Sequence, residues 1–584
     1  MNRTLRTLLV AFGSIAFVAL LVQQFVLKNL PVAHGAEPKT KAAPAGGKTD
    51  HVTFGGTPAR NMVNLTDKNI IDKPNPEDAE QILWKTELGS RAYGGPIVAD
   101  GKVFVGTNNE RPRNKRDQIK NADGDIEPVD KGIVMAFDEK TGKFIWQAVH
   151  DKLPSGQVND WPKEGVCATP HVDGDKIYYS SNRCTIVCAY VDGRSKGAEG
   201  IETKFKDKTD AAIVWEYDMI KELGVFPHNM TAASPLMVGD ILFIVTANGV
   251  DENHINIPAP NAPSFIALDK NTGKLLWKRN DPGRNIMHGQ WANPTYAEVD
   301  GVKQVIFPGG DGYLYAVTPA TGELLWKFDA NPKDTKYDLG GAGNKSDFIG
   351  TPVFYDNKLY IGTGQDPEHF SGIAHFYCID LKKALANAKK NKEQDVSPEL
   401  VDKEEKLKDG NVKITGKPNP DSAVVWQYGG IDKRKFVPRE YIFGRTMSTA
   451  CIVDDVLYIS ELQGYLHCLD AKTGKKFWQY DTKSAIWGSA YYADGKVFLA
   501  TEGGDLFVFK HDKTPKVMDE LDNPGVADQK AYNTAMKATR KKVEAEYLIH
   551  KVEFEAPIRS TPVVANGILY VMSEKSLYAF KPKK

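Results

Sequence analysis

The sequence predicts an all-β chain whose main part is a single eight-bladed β-propeller, and three observations predict it. An eleven-residue phrase that ends in Trp recurs along the chain, and a second phrase built from two apolar runs recurs ahead of it. A repeated unit of about four short strands is typical of a propeller, whose blades close into a ring. The composition agrees, because 51 Gly, 33 Pro, 23 Tyr and 10 Trp favour turns and strands over long helices.

The Trp phrase supplies the outer half of each predicted blade. Its four clear copies read AFDEKTGKFIW, ALDKNTGKLLW, AVTPATGELLW and CLDAKTGKKFW, and they end at Trp146, Trp277, Trp326 and Trp478. Weaker copies end at Trp84, Trp215, Trp426 and Phe554. The Thr-Gly pair inside the phrase predicts a tight turn between two strands.

The second phrase supplies the inner half of each blade. TPVFYDNKLYIGT from Thr351 and TPVVANGILYVMS from Thr561 are examples, in which Asp-Asn or Asn-Gly separates two apolar runs and predicts a hairpin. Phrases of this type start near Gly95, Thr169, Ser234, Asn293, Thr351, Thr449, Ser489 and Thr561.

The two ends of the ring are predicted to meet in one blade. The Trp84 phrase precedes the first inner phrase, and the last unit stops at Phe580 without a Trp strand. The simplest closure places the Trp84 strand on the outside of the final blade, which removes the free sheet edges. Residues 79–584 then form one propeller, interrupted by inserted loops at 110–131, 383–412 and 515–548.

The phrase A-x-D-x-x-T-G-K-x-x-W resembles the tryptophan-docking repeat of the pyrroloquinoline-quinone (PQQ)-like propeller family. That family includes quinoprotein alcohol dehydrogenases and an outer-membrane assembly lipoprotein. The resemblance implies that each docking Trp packs between neighbouring blades, and it speaks for the fold more than for a function. The structural docking residues are Trp84, Trp146, Trp215, Trp277, Trp326, Trp426 and Trp478.

The N-terminus has the pattern of an export signal. Arg3 and Arg6 precede a mostly apolar run from Leu8 to Leu27, and Ala33-His34-Gly35 supplies small residues for cleavage. We expect residues 1–35 to be a signal peptide or an uncleaved signal anchor, and 36–78 a flexible linker. The rest of the chain is then exported to the periplasm or cell envelope, with membrane contact only through an uncleaved N-terminal segment.

Charge and cysteine content exclude several classes of function. The 75 Lys and Arg balance the 75 Asp and Glu, which excludes a nucleic-acid binder that relies on bulk positive charge. No CxxC occurs, so the sequence has no haem-attachment motif and no Cys-based zinc site. Cys188, Cys378 and Cys468 fall at a small buried position of the Trp phrase and are expected in the core.

The residues just before each innermost strand should rim one mouth of the central channel. This rim mixes Arg, acids, His and aromatic residues, as a small-molecule site requires. The candidate ligand residues are Arg91, Tyr93, Trp161, Glu164, His228, Asn229, His288, Trp291, Trp487 and Arg559. Asp347 and Arg445 are the candidate catalytic residues. The alternative is that Arg91, Arg445, Arg559 and Asp347 form an ion-pair network that plugs the channel.

The metal content is left open by the sequence. The spacing of Asp123 and Asp125 does not fit an EF-hand calcium loop. Two loops after second strands each combine acids with a His, and a metal site shared by both loops is one alternative to solvated loops. Their residues are Asp251, Glu252 and His254 in one loop, and Asp366, Glu368 and His369 in the other.

Two functional hypotheses follow. The favoured one is a non-catalytic propeller that binds a protein, peptide or glycan through the channel mouth and inserted loops. The alternative is a quinoprotein-type oxidoreductase that uses PQQ with calcium on alcohols or sugars. The resemblance implies a Glu and an Asn on the ion, an Asp base and an Arg on the substrate, roles that Glu164, Asn229, Asp347 and Arg445 match by type. The adjacent Cys-Cys pair usual in those enzymes is absent from this sequence.

Overall fold

The computed structural model describes residues 49–583, apart from 195–199, 202, 340–341, 366–372, 408–411, 435, 438 and 519–525. The predicted signal segment lies outside the described residues, as do Asp366, Glu368 and His369. Eight antiparallel four-stranded meanders follow one another along the described chain, one of them with an added fifth strand, so the eight-bladed propeller is confirmed. No helix among the described residues is both long and apolar enough to cross a membrane.

The first four blades run from residue 97 to residue 329, and their strands are given from the innermost outward. Blade 1 comprises Ile97–Ala99, Lys102–Asn108, Lys131–Asp138 and Phe144–Asp151. Blade 2 comprises His171–Asp173, Lys176–Ser180, Thr185–Tyr190 and Ile213–Asp218. Blade 3 comprises Leu236–Val238, Ile241–Val245, Phe265–Asp269 and Leu275–Arg279. Blade 4 comprises Thr295–Val299, Val302–Pro308, Tyr313–Val317 and Leu324–Asp329.

The remaining four blades complete the ring. Blade 5 comprises Val353–Tyr355, Lys358–Gly362, His375–Asp380 and Val424–Gly429. Blade 6 comprises Cys451–Val453, Val456–Ser460, Tyr465–Asp470 and Lys476–Asp481. Blade 7 comprises Tyr491–Ala493, Lys496–Ala500, Asp505–Lys510 and Leu548–Glu553, with Val63–Asn64 added in parallel to its innermost strand. Blade 8 comprises Val563–Ala565, Ile568–Met572, Ser576–Phe580 and Ile82–Glu87.

The predicted closure is confirmed in blade 8. The N-terminal strand Ile82–Glu87 pairs antiparallel with Ser576–Phe580, and Trp84 lies opposite Ala579. Both chain ends therefore contribute to one sheet, and the last blade gains the outer strand that its own sequence lacks. The core cysteines are also where the sequence predicts them, since Cys188, Cys378 and Cys468 are fully buried.

The inserted segments carry the helices and small sheets. The helices are α1 (Met219–Leu223), α2 (Leu381–Ala388) and α3 (Gln529–Tyr547). Asp380 and Asp528 cap α2 and α3, each accepting a hydrogen bond from a backbone N–H of the first turn. The additional hairpins are Gln118–Lys120 with Ile126–Pro128, Tyr337–Asp338 with Ala342–Gly343, and Glu399–Lys406 with Val412–Pro418. Single 3₁₀ turns occur at Lys115–Asp117, Gly156–Val158 and Gly283–Asn285.

Five docking tryptophans lie across a glycine turn of the following blade. The pairs are Trp84 with Gly142, Trp146 with Gly193, Trp215 with Gly273, Trp277 with Gly322, and Trp426 with Gly474. Each indole N–H donates to a backbone carbonyl of that next blade, over 2.8 to 3.0 Å. A Cβ at any of these glycines would lie 2.6 or 2.7 Å from the indole, and each glycine also has a positive φ. The repeat therefore requires glycine for two independent reasons.

Two docking tryptophans meet a helix instead of a glycine turn. Blades 5 and 7 replace the turn by an insertion that contains α2 or α3. Trp326 packs in one apolar cluster with Leu381 and Ala384 of α2, and its indole N–H donates to Gln304 Oε1 over 2.8 Å. Trp478 stacks on Tyr547 of α3 at 5.3 Å between ring centroids. The inserted helices therefore replace the missing docking surface in these two blades.

The described part of the predicted linker differs from a flexible segment. Residues 51–64 run around the channel and hydrogen-bond, in chain order, to the innermost strands of blades 1, 2 and 4 to 8, while Arg60 reaches blade 3. Seven of these contacts are His51 with Val98, Val52 with Val172, Pro58 with Tyr296, Ala59 with Phe354, Asn61 with Ile452, Met62 with Tyr492, and Asn64 with Val564. The innermost strands leave one row of backbone groups unpaired toward the channel, and this segment pairs with them. We call residues 51–64 the channel segment.

Arg60 is the centre of the channel segment. Its side chain is fully buried and reaches blades 3 and 4, where it donates to the carbonyls of Pro235 and Pro294. It also donates to Thr53 Oγ1 and to the Phe54 carbonyl within the segment. Burial lowers the pKa of Arg60 to about 9, so the guanidinium stays charged at neutral pH and is held by four oxygen acceptors.

Trp146→Ala should lower the free energy of unfolding by about 3–5 kcal/mol, because a fully buried indole and its hydrogen bond to the next blade are lost. Guanidinium denaturation measures the change. Leu276→Ala is the control, since Leu276 is 48% exposed on an outer strand and its loss should change stability by less than about 0.5 kcal/mol. Equal effects of the two substitutions would contradict the docking role.

Arg60→Leu should destabilise the fold by at least about 2 kcal/mol, because buried carbonyls lose their charged donor. The free energy of unfolding and the rate of proteolysis near residue 60 are the measurements. Arg284→Leu is the matched control, since Arg284 is exposed. A channel segment that is held by other contacts alone would leave the Arg60 and Arg284 variants equally stable.

Candidate functional site

The channel segment lies deeper in the ring than the residues at one mouth of the channel. In seven blades the residue that the segment contacts stands five positions after a residue of the loop at the mouth, as Val98 does after Tyr93 and Ile452 after Met447. Five residues of extended chain span about 16 Å. The segment therefore forms a floor beneath the mouth rather than part of its rim.

A cavity of about 260 Å³ opens at this mouth. Its walls are mostly aromatic and apolar, with three polar groups among them. The lining residues are Tyr93, Trp161, Glu164, Asn229, Met230, His288, Trp291, Ile349, Met447 and Trp487. Seven of the candidate ligand residues from the sequence are in this lining, and the structure brings them together from the loops ahead of five blades.

The loop before blade 2 shapes one wall of the cavity. Trp161 N–H donates to the Asn229 carbonyl and Asn229 N–H donates to the Val158 carbonyl, both over 2.7 Å, so two neighbouring mouth loops are tied together. Asn229 holds a positive φ of 58°, an uncommon conformation for a residue other than glycine. The loop pairing fixes Trp161 and Asn229 side by side in the wall.

Arg559 organises the wall on the side of blades 7, 8 and 1. Its guanidinium lies over the rings of Tyr93 and Trp487 at 5.6 and 5.3 Å, and those two rings contact each other edge to face. The same guanidinium pairs with Glu502 and Glu574. Arg559 therefore lies behind the aromatic wall and does not line the cavity.

Arg91 is likewise engaged by acids. It pairs with Glu574 over 3.1 Å and with Glu164 over 3.5 Å. Together with Arg559 it forms a chain of alternating charges behind the mouth. Arg91 and Arg559, two of the residues predicted for an ion-pair plug, therefore form ion pairs with Glu164, which the sequence analysis placed at the mouth, and with Glu502 and Glu574, which it did not select.

The pKa values of two acids in this network, Glu574 and Glu502, shift in opposite directions. Burial raises the pKa of Glu574 above its ordinary value, against the attraction of Arg559 and Arg91. Burial acts upward on Glu502 as well, but hydrogen bonds from Arg559 and Trp487 bring the pKa of Glu502 below its ordinary value. Burial and the neighbouring Glu164 raise the pKa of Tyr93, which stays neutral.

Asp347 and Arg445, the two candidate catalytic residues, lie outside the cavity lining. Asp347 is buried and exchanges two backbone hydrogen bonds with Gly364. Gly364 also packs against Arg445, since a Cβ on that glycine would lie 2.9 Å from the Arg445 Cβ. The two residues are thus neighbours, Asp347 ahead of the innermost strand of blade 5 and Arg445 ahead of the innermost strand of blade 6.

Three histidines meet on the opposite side of the mouth, between blades 3 and 4. Nε2 of His288 lies 2.8 Å from Nε2 of His228 and 3.2 Å from Nε2 of His254. All three nitrogens lie within 4.8 Å of one another. The sequence analysis selected His228 and His288 for the mouth and His254 for a loop, without joining them. Asp251 and Glu252 of that loop do not belong to the group that the described residues form.

Of two features that sequence reasoning missed, one had a signal in the repeats. Ser460-Glu461, Thr501-Glu502 and Ser573-Glu574 repeat an acid at the end of the second strand in blades 6, 7 and 8. Glu461 pairs with Arg439, as Glu502 and Glu574 pair with Arg559. Alignment of the blades would have marked these acids as partners for the mouth arginines. The meeting of the three histidines had no such signal, because it depends on the path of one loop.

The chain matches the protein-family model described as outer membrane protein assembly factor BamB over residues 130–405 and 408–516. Tetrathionate hydrolase of Acidithiobacillus ferrooxidans is 23% identical over 258 residues, which are 43% of this chain and 39% of that protein. Quinoprotein ethanol dehydrogenase of Pseudomonas putida is 30% identical over 107 residues, which are 18% of this chain and 16% of that protein. The chain thus spans less than half the length of these curated relatives.

Solved structures with a similar course of the chain include BamB from Moraxella catarrhalis, at a TM-score of 0.44 and 12% identity, covering 86% of this chain and 99% of that one. Quinohemoprotein alcohol dehydrogenase from Comamonas testosteroni has a TM-score of 0.42 and 11% identity, covering 92% and 81%. The family model covers more than half of the sequence, and the chain therefore belongs to the PQQ-like repeat propeller family that this model describes.

Proposed function

We propose that this chain is a binding protein whose mouth cavity takes an apolar or aromatic side chain of a protein or peptide partner. The observation that carries the proposal is the lining of the cavity, in which four large aromatic rings and two methionines surround three polar groups. Aromatic residues around a desolvated pocket are typical of the anchor points of protein interfaces.

The size of the cavity supports an anchor rather than a whole ligand. Its volume of about 260 Å³ lies below the range of roughly 300–1,000 Å³ in which pockets for drug-sized molecules fall. Met230 and Met447 give part of the wall an adaptable surface, which suits side chains of more than one shape. Asn229 and Glu164 can hold a backbone or polar tip at the rim.

The family supports a partner of this kind. The family model is described by an outer-membrane protein assembly factor, and a role in assembly requires contact with other proteins. With the export signal that the sequence predicts, we place the chain in the periplasm or cell envelope. The inserted hairpin Glu399–Lys406 with Val412–Pro418 is largely exposed and offers a second contact surface on blade 5.

The quinoprotein alternative draws on the 30% identical segment of an ethanol dehydrogenase. PQQ carries three carboxylates and requires cationic partners. No Arg or Lys is among the described residues that line the cavity, and Arg91 and Arg559 are paired with acids behind it. The six cysteines are free and buried, without the adjacent pair that those enzymes use. The residues present do not fit the cofactor, although Glu164 and Asn229 share the cavity wall.

Peptides selected from a random library for binding to the purified chain should lose affinity when side chains of the cavity wall are truncated. Trp487→Ala or Met447→Ala should weaken binding by about 30-fold, or about 2 kcal/mol, because an anchor pocket loses a wall. Isothermal titration measures the dissociation constant, and thermal melting checks the fold. Leu276→Ala, at an exposed position of blade 3, should leave binding unchanged. Peptides that bind all three variants equally would contradict the proposal.

Addition of PQQ and calcium separates the two hypotheses. We expect neither quinone absorbance on the protein after gel filtration nor dye reduction with a panel of alcohols and sugars. Stoichiometric PQQ binding at micromolar concentration, together with substrate-dependent dye reduction, would overturn the binding-protein proposal in favour of the oxidoreductase.

A further inference from the structure

We propose that His228, His254 and His288 form a binding site for a divalent transition-metal ion of the zinc class. The site lies between blades 3 and 4 and adjoins the mouth cavity, because His288 and Asn229 are part of the cavity lining. Only His288 of the three lines the cavity, so an ion bound by the histidines does not require the partner proposed above.

The geometry of the three nitrogens is close to that of a histidine metal site. A zinc ion bound at about 2.0–2.1 Å by imidazoles in tetrahedral arrangement separates the nitrogens by about 3.4 Å. The two Nε2–Nε2 separations in this cluster are 2.8 and 3.2 Å, and the ring centroids lie 4.2 to 4.9 Å apart. Small outward movements of the rings would therefore admit an ion at the centre.

The protonation state of His228 favours a metal. Its Nδ1 lies 2.9 Å from the carbonyl oxygen of Val250, which can only accept, so Nδ1 must carry the proton. In the neutral ring Nε2 then presents a lone pair to the other two histidines. A hydrogen bond from Nδ1 to a backbone carbonyl is the usual outer-shell contact of a metal-binding histidine.

His254 is held in place by a strained turn. It has a φ of 59°, which costs energy for a residue with a side chain. Its N–H donates to the Asp251 carbonyl, and the Asp251 carboxylate accepts from the N–H groups of Ile255 and Asn256. Asp251 thus stabilises the turn, and the turn places the His254 ring beside the rings of His228 and His288.

The surroundings of His228 and His288 are rigid. Gly249 passes so close that a Cβ there would lie 2.5 Å from the His228 Cβ and 2.6 Å from the His288 carbonyl oxygen. Trp291 packs against both rings and donates its indole N–H to the carbonyls of His228 and Met230. Both histidines are almost fully buried, so their orientation is set by packing.

The ligand set indicates the class of ion. Imidazole nitrogens suit Zn²⁺, Cu²⁺ and Ni²⁺, whereas Ca²⁺ and Mg²⁺ require oxygen ligands. Within the described cluster an imidazole N–H can donate to only one neighbouring nitrogen at a time. A cation at the centre can instead be bound by all three Nε2 atoms. Three histidines leave a fourth position for water or for an atom of a bound partner.

The test is metal titration of the untagged full chain after removal of metals with a chelator. Zn²⁺ should bind with a stoichiometry of one ion per chain and raise the melting temperature. His254→Ala should weaken this binding by at least about 100-fold, since the loss of a ligand exceeds the effect of losing an outer-shell contact. His254 lies on a loop and is only partly buried, so this variant should fold like the wild type.

His550→Ala is the matched control, because His550 lies on the outer strand of blade 7, far along the chain from the cluster. It should retain the ion with unchanged affinity. X-ray absorption at the zinc edge should show nitrogen ligands at about 2.0–2.1 Å. Retention of full affinity by the His254 variant, or absence of saturable Zn²⁺ and Cu²⁺ binding by the wild type at micromolar concentrations, would overturn the proposal.

Discussion

The packing of each docking Trp on the turn of the next blade is the contact on which the ring depends. It joins neighbouring sheets through a buried indole, a hydrogen bond and a glycine that leaves room for the ring, as at Trp146 and Gly193. Where the turn is lost to an insertion, α2 and α3 bring new apolar surface to Trp326 and Trp478. These contacts hold neighbouring blades together in one ring, and the loops ahead of seven blades contribute residues to the cavity at one mouth.

The second constraint is the channel segment, which fills the channel below the mouth so that the mouth opens onto a cavity with a floor. It pairs with the inner edges of seven blades through backbone and amide hydrogen bonds, and its buried Arg60 reaches blades 3 and 4. The same two blades carry the three histidines at the opposite end. The bottom of the cavity is therefore part of the folded core. Differences in binding between partners would depend on the residues of the rim.

The repeats of the sequence were sufficient to predict the propeller, the closure at Trp84 and the convergence of mouth residues such as Trp291 and Trp487. They did so because period and turn chemistry are local properties of the chain. The order of residues 51–64 could not be predicted in this way, since their partners are unpaired strand edges from all round the ring. The joining of His254 to His228 and His288 likewise depends on a loop path that no repeat encodes.

Although the net charge of the chain is zero, the two sides of the mouth carry different ionisable groups. Acids and arginines neutralise each other behind Tyr93 and Trp487, whereas histidines lie on the side of Trp291. The central claim is that binding takes place in the cavity between these two sides. Hydrogen–deuterium exchange with a selected peptide tests it most directly. The account predicts protection at 91–93, 161–164, 228–230, 288–291 and 485–487. Protection confined to the outer strands or to the hairpin of blade 5 would contradict it.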